Sequence, residues 1–168
     1  ANRPAAPDMT VRRLGVLGAG MMGAGIAHVA ALAGIEVVLL DTTAEAAERG
    51  KAHSEGMLDK GMKRGRVTAE KKAEVLGRIT PATDHGALSG CDLVIEAVFE
   101  DPRVKAEVTR KAEAAAGAGA VFATNTSTLP IGELARASAR PERFIGIHFF
   151  SPVDRMMLVE IIRGPATG

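Results

Sequence analysis

His148 and Glu160 have the types and spacing best suited to proton chemistry. His148 lies in the run Phe144-Ile145-Gly146-Ile147-His148-Phe149-Phe150, and Glu160 lies in Met156-Met157-Leu158-Val159-Glu160-Ile161-Ile162. An imidazole changes charge near neutral pH, so it can take or return a proton. A carboxylate in an apolar strand needs a partner, because burying it alone is costly. His148 is a plausible partner, and a glutamate that holds an imidazole fixes its tautomer and stabilises its protonated form. Three plainer readings stay open on the residues alone. His148 could be a satisfied core histidine, Glu160 an edge-strand charge facing water, and Ser127 a cap on a turn or helix.

A second constellation points to a ligand. The apolar run Leu14-Gly15-Val16-Leu17 ends in Gly18-Ala19-Gly20-Met21-Met22-Gly23. A helical pattern follows (Ile26, Ala27, Val29, Ala30, Leu32), closed by Gly34, and a second apolar run, Val37-Val38-Leu39-Leu40, ends in Asp41. This is the order of a dinucleotide-binding βαβ unit. Gly18 permits the tight turn, Gly20 lets a pyrophosphate approach the backbone, and Gly23 lets the helix sit close to the sheet. The helix N-terminus offers free N–H groups to the phosphates. Asp41 follows Gly18 by 23 residues, near the roughly 20 expected of an acid that binds a ribose 2′-hydroxyl. Its charge would repel a 2′-phosphate, which favours NAD over NADP. A nicotinamide would then accept hydride while the histidine takes the hydroxyl proton. The alternative is a glycine-rich turn that binds nothing.

The elements that must position these residues alternate. Strands are expected at about 12–18, 36–41, 78–81, 91–96, 120–124, 144–150 and 157–162, and helices at about 21–33, 44–63, 69–77, 102–116 and 131–137. This reads as an α/β fold of Rossmann type, a doubly wound and largely parallel sheet with a helical excursion after the second strand. Thr42 or Thr43 can cap the second helix and Thr68 the third; Gly50, Gly56 and Gly61 count against the second. Ligands in such sheets bind beyond the C-terminal strand ends, here Gly18, Asp41, Glu96 to Glu100, Thr124 to Thr128 and His148 onward.

Composition excludes several classes. The net charge of +1 over 168 residues argues against nucleic-acid or membrane-surface binding. No apolar run approaches the ~20 residues of a membrane span. The single cysteine, Cys91, opens a buried strand, lacks a local base, and fits a reducing compartment. His28, His53 and His85 have no metal-ligand spacing and read as structural or surface residues, so no metal is expected. Residues 1–10 read as a linker, 11–163 as the cofactor-binding domain, and 164–168 as the start of a second linker, as if one domain had been excised from a longer chain.

These motifs resemble those of the L-3-hydroxyacyl-CoA dehydrogenase family, in its NAD-binding domain. The resemblance rests on Gly18 to Gly23, Val94-Ile95-Glu96-Ala97-Val98-Phe99-Glu100-Asp101, Thr124-Asn125-Thr126-Ser127-Thr128-Leu129-Pro130-Ile131, Gly146-Ile147-His148-Phe149-Phe150-Ser151-Pro152-Val153 and Leu158-Val159-Glu160-Ile161-Ile162. It implies that His148 is the catalytic base, Glu160 its paired glutamate, and Ser127 the donor to the substrate's 3-oxygen. It implies NAD contacts at Gly18, Gly20, Met21, Met22, Gly23, Asp41, Ala97, Glu100, Lys105, Asn125 and Ser151. The helical excursion matches the arm that meets coenzyme A, with Lys63 or Arg64 on its phosphates.

The sequence departs from the single-function enzymes at Ser151, where they usually have Asn. His148-Phe149-Phe150-Ser151-Pro152-Val153-Asp154-Arg155-Met156 is more similar to the dehydrogenase part of multifunctional β-oxidation proteins, which also carry an enoyl-CoA hydratase domain. The resemblance therefore implies an acyl-CoA substrate, a missing all-α C-terminal domain and a parent chain with a hydratase domain; with no targeting segment visible in the sequence, a cytoplasmic, bacterial location is expected. The rival readings are a stand-alone 3-hydroxybutyryl-CoA dehydrogenase and an NAD-binding module without chemistry.

Overall fold

The computed structural model describes residues 9–168. Most of residues 1–10, the expected first linker, lie outside the described residues. Among the described residues, seven strands form one sheet: β1 (Arg13–Leu17), β2 (Glu36–Leu40), β3 (Ile79–Ala82), β4 (Leu93–Glu96), β5 (Val121–Thr124), β6 (Phe144–Phe149) and β7 (Val159–Ile162). Their order is β3-β2-β1-β4-β5-β6-β7. The first six run parallel, and β7 pairs antiparallel with β6. The order reverses between β1 and β4, and the crevice at that point is where a doubly wound sheet binds ligands.

The apolar runs are continuous because both sheet faces are covered. Leu14, Val16, Val37 and Leu39 pack into one core with Ile26, Ala27 and Ala31 of α1 (Met21–Leu32) and Leu58 of α2 (Ala44–Lys63). Leu17, Val38, Leu40 and Val94 point the other way, towards Ala112 and Ala116 of α4 (Pro102–Ala116) and Leu134 of α5 (Ile131–Leu134). Burial of each large aliphatic chain contributes about 1.5–3 kcal/mol.

Helix starts follow capping chemistry. Thr43 accepts from Ala46 N–H to begin α2, and Thr68 from Lys71 N–H to begin α3 (Ala69–Gly77). Asp101 caps α4, with Pro102 in the first turn. Gly50 does not break α2: a Cβ there would lie 2.7 Å from the Leu39 side chain and 2.8 Å from that of Ala19, so glycine permits the helix to sit close to the sheet. The expected helix at 131–137 is α-helical only to Leu134 and tightens to a 3₁₀ turn at Ala135–Ala137. A 3₁₀ turn also spans His85–Leu88.

The last strand differs from its expected form. It covers Val159–Ile162 only, and Met157 is 96% exposed. Its register ends where Val159 meets Phe149, the end of β6, so Met157 and Leu158 have no strand to pair with. Glu160 is thus on an exposed edge strand rather than in a buried one. Residues 164–168, expected to begin a linker, fold back on the start of β6: Thr167 donates from its hydroxyl to Phe144 O, and Gly168 N–H to Glu142 O.

Buried His28 and the paired carboxylates set an acid limit on this fold. Burial, aided by His53 and opposed by Asp154, holds His28 below its ordinary value of 6.5. The unfolded chain therefore binds a proton that the folded chain refuses, so the His28 contribution is complete above pH 6.5 and is lost as pH falls towards the lowered value. The backbone N–H groups of Arg12 and Arg13 lower Asp92, and those of Arg103 and Val104 lower Asp101. Their contribution is lost only below about pH 4. The urea midpoint is expected to be flat from about pH 7 to 8, to fall above that as the thiol of Cys91, raised by burial, ionises first in the unfolded chain, and to fall in two stages below about 6.5. His28→Gln should shrink the upper stage, to which His85, also lowered by burial, contributes the rest, and leave the lower one.

Candidate active site

The glycine turn sits at the C-terminal end of β1. Gly18 has φ +93°, and a Cβ there would lie 2.6 Å from the Ala97 carbonyl oxygen. Around Gly20 a Cβ would meet nothing within 4 Å, so there is open space over the backbone at this point. Gly20 is also the N-cap of α1, with no side chain closing it and no acid in the first turn. The first N–H groups of this helix are left for an anion. The Asp41 carboxylate lies across the turn, accepting from Ala19 N–H at 2.8 Å and Thr42 N–H at 2.6 Å. These features fit a dinucleotide: an uncapped helix end for its pyrophosphate and an acid at the strand end for a ribose.

Beyond the turn, a cleft of about 390 Å³ opens over the ends of β4, β5 and β6. It is lined by Met22, Ala97, Val98, Glu100, Asn125, Ser127, His148, Phe149, Phe150 and Ser151. His148 and Glu160 are direct cross-strand partners. His148 Nδ1 lies 2.9 Å from Glu160 Oε2, and the two side chains are 21% and 51% exposed. With Nδ1 engaged, Nε2 remains for a ligand in the cleft. The Phe150 ring lies 4.4 Å from the imidazole, centroid to centroid, at 47°. Asn125 ties two strand ends together, accepting from Phe149 N–H through Oδ1 and donating its own N–H to Glu96 O. Of the two plain readings of this pair, the core histidine does not hold, and the edge charge holds together with the pairing.

The turn after β5 is closed by Thr126, whose hydroxyl accepts from Leu129 N–H and donates to Glu100. Ser127 is exposed at the cleft and caps nothing among the described residues. Glu100 is raised by burial, but the Thr126 hydroxyl and the Lys105 charge outweigh this, so its carboxyl stays below the usual range. Met21 is 74% exposed and its sulfur accepts from the Ser151 hydroxyl at 3.8 Å.

Lys105 is not on the cleft surface. It is 1% exposed, its ammonium 2.6 Å from Glu96 Oε1 and within 3.3 Å of Asn125 O. Glu96, fully buried, also accepts from Thr124 Oγ1 and Val98 N–H. Sequence reading placed Glu96 at a strand end without seeing this pairing; a carboxylate closing a buried strand nine residues before a lysine was the available signal. Lys63 and Arg64 lie exposed at the far end of α2 and do not line the cleft. Cys91 is buried, and burial raises its thiol, as suits an unreactive side chain. No cluster of metal-ligating side chains occurs among the described residues.

Comparison with known proteins gives concordant matches. The family described as "3-hydroxyacyl-CoA dehydrogenase, NAD binding domain" matches residues 13–168. The fatty acid oxidation complex subunit alpha of Idiomarina loihiensis is 45% identical over 157 residues, covering 94% of this chain and 22% of its own length. The crystal structure of (S)-3-hydroxybutyryl-CoA dehydrogenase from Ralstonia eutropha is 39% identical with a TM-score of 0.91, over 95% of this chain and 56% of that one. The dehydrogenase part of multifunctional enzyme 1 from C. elegans is 32% identical with a TM-score of 0.82, over 95% of this chain and 36% of that one. The chain thus spans about a fifth of its curated relative. Among the described residues no helix is long and apolar enough to cross a membrane.

The buried pair makes a stability prediction. Lys105→Met leaves the Glu96 carboxylate buried without its cation and should cost about 3–5 kcal/mol in urea unfolding. Adding Glu96→Gln should recover part of that loss, because the remaining charge is gone. A single-variant loss below about 1 kcal/mol, the range of exposed pairs, would mean that water reaches the pair.

Proposed function

The chain belongs to the 3-hydroxyacyl-CoA dehydrogenase family, in its NAD-binding domain, and we propose that it oxidises L-3-hydroxyacyl-CoA to 3-oxoacyl-CoA within a multifunctional fatty-acid oxidation protein. The observation that carries this reading is the His148–Glu160 pair on the wall of a cleft that begins at the glycine turn. When bound, the nicotinamide of NAD accepts the hydride from C3 of the substrate. His148 Nε2 takes the hydroxyl proton. Glu160 accepts the Nδ1–H, keeps Nε2 basic and balances the imidazolium charge as it forms. Ser127 donates to the reacting oxygen. The α1 N-terminus with Gly18, Gly20 and Gly23 holds the pyrophosphate, and Asp41 holds the ribose hydroxyls.

Met21, Met22, Ala97, Glu100, Asn125 and Ser151 flank the cofactor's other half. Lys105 acts beneath them, through Glu100 and the Asn125 carbonyl. Lys63 and Arg64 are assigned to the coenzyme A phosphates. An all-α C-terminal domain supplies the remaining wall of the cleft, the parent chain carries an enoyl-CoA hydratase domain, and the protein works in a bacterial cytoplasm. The multifunctional reading is supported over the stand-alone enzyme by Ser151 and by the complex-subunit relative.

NADH binding, followed by the nucleotide's own fluorescence, should be saturable and tighter than NADPH binding; the chain has no Trp or Tyr to interfere. Asp41→Ala should narrow that preference. In the protein that carries this domain, His148→Ala should lower acetoacetyl-CoA reduction by roughly 10²–10⁴-fold with NADH affinity kept. Equal binding of NADPH would remove the role of Asp41. An undiminished rate in His148→Ala would overturn the assigned base.

A further inference from the structure

Ser127 stands in the segment between β5 and α5, residues 125–130, which forms neither helix nor strand. Side-chain bonds must therefore place its hydroxyl at the cleft. Thr126, next to it, is 3% exposed. A threonine hydroxyl has one proton to give and lone pairs to accept with. The Glu100 carboxyl is held below its ordinary range and is ionised at neutral pH, so it can only accept. The Thr126 proton accordingly goes to Glu100 Oε1. A lone pair then takes Leu129 N–H at 3.1 Å and closes the turn around Ser127. Glu100 itself comes from the loop after β4. Its Oε2 lies 3.5 Å from Lys105 Nζ, and its Oε1 also accepts from the Thr128 hydroxyl at 3.4 Å. One buried hydroxyl thus joins two loops whose neighbouring side chains, Glu100 and Ser127, both line the cleft.

We propose that Thr126 is a positioning residue of the dehydrogenation, its hydroxyl aiming Ser127 at the reacting oxygen by tying the turn to Glu100. This rests on the reading of Ser127 as the donor to that oxygen and adds a residue to it. Closing the turn needs only the bond from Leu129 N–H. The second bond crosses to a carboxylate 26 residues away in sequence, and its burial strengthens it and keeps water from competing for it. Ser127 is exposed, so a drift of the turn carries its hydroxyl with it. A misplacement of about 1 Å near a reacting centre can cost about 10²-fold in rate. Valine has the shape of threonine without the hydroxyl, so Thr126→Val removes both bonds and keeps the packing. Lys105 and Thr128 still hold Glu100 in that variant, which separates an effect on Ser127 from one on the cofactor.

The test measures acetoacetyl-CoA reduction and NADH affinity in the protein that carries this domain, for Thr126→Val, Thr126→Ser, Ser127→Ala and the double variant Thr126→Val with Ser127→Ala. Thr126→Val should lower kcat roughly ten- to a hundredfold and leave the NADH Kd within about threefold. Thr126→Ser, which keeps the hydroxyl, should stay within about threefold of wild type in kcat on the same basis. The double variant should be no more than about threefold slower than Ser127→Ala, because Thr126 acts through the residue already removed. Losses that multiply in the double variant overturn the inference. So does a loss confined to NADH affinity, which would place the effect at Glu100. A wild-type kcat in Thr126→Val beside a slow Ser127→Ala also overturns it, while the dehydrogenase reading stands. A Ser127→Ala at full rate overturns the donor role of Ser127, and this assignment with it. Should Thr126→Val not fold, Thr126→Ala against Thr126→Ser, which differ only in the hydroxyl, decides the same point, and equal kcat values overturn the inference.

Discussion

Two opposite charges, Glu96 and Lys105, are sealed inside this domain, and the loops of the cleft are arranged around them. Taking such a pair out of water costs several kcal/mol per ion, offset only if the spare lone pairs and protons find partners. Here the partners are Val98 N–H, the Thr124 hydroxyl, the Asn125 carbonyl and, at 3.5 Å, Glu100. They come from the end of β5 and from the loop between β4 and α4. The solvation demand of one buried lysine therefore fixes the backbone that presents Val98, Glu100 and Asn125.

The helix ends divide the same way between stability and binding. α2, α3 and α4 begin under Thr43, Thr68 and Asp101, each satisfying a backbone donor. α1 begins at Gly20 with none. A capping side chain is worth about 1 kcal/mol, and α1 does without it at the one helix end that faces the glycine turn. An acceptor there would compete with a phosphate for the same N–H groups. The helix is held instead by its buried face, Ile26, Ala27 and Ala31 on Leu14 and Val16.

Much of this was legible in the sequence. Glycine spacing, apolar runs and caps report local backbone requirements, so the order of strands and helices and the places of Gly18, Asp41 and His148 could be read directly. The pairing of His148 with Glu160 was also readable, since a lone carboxylate in an apolar strand asks for a partner. What could not be read depends on tertiary register. β7 looks like a buried strand because its residues are apolar, but only the sheet order shows that nothing among the described residues covers its outer side. The resemblance set Lys105 among the cofactor contacts, and only the approach of α4 to the end of β4 shows it turned inward onto Glu96. Glu96 was visible as a strand end, but its partners lie 9 and 28 residues away.

The antiparallel pairing of β6 with β7 has a consequence for what counts as a correctly folded molecule. Side chains alternate sides along a strand, so a slip of one residue in β7 would send Glu160 to the opposite face of the sheet from His148. Apolar neighbours on both sides of Glu160 mean that such a slip would sacrifice little burial on an edge this exposed. Hydrophobic contact therefore discriminates poorly between the two alignments, and the hydrogen bond between the His148 imidazole and Glu160 favours the observed one. The site thus acts as a spelling check on its own scaffold: the contact that would arm the base is also the one that tells the strand where to stop.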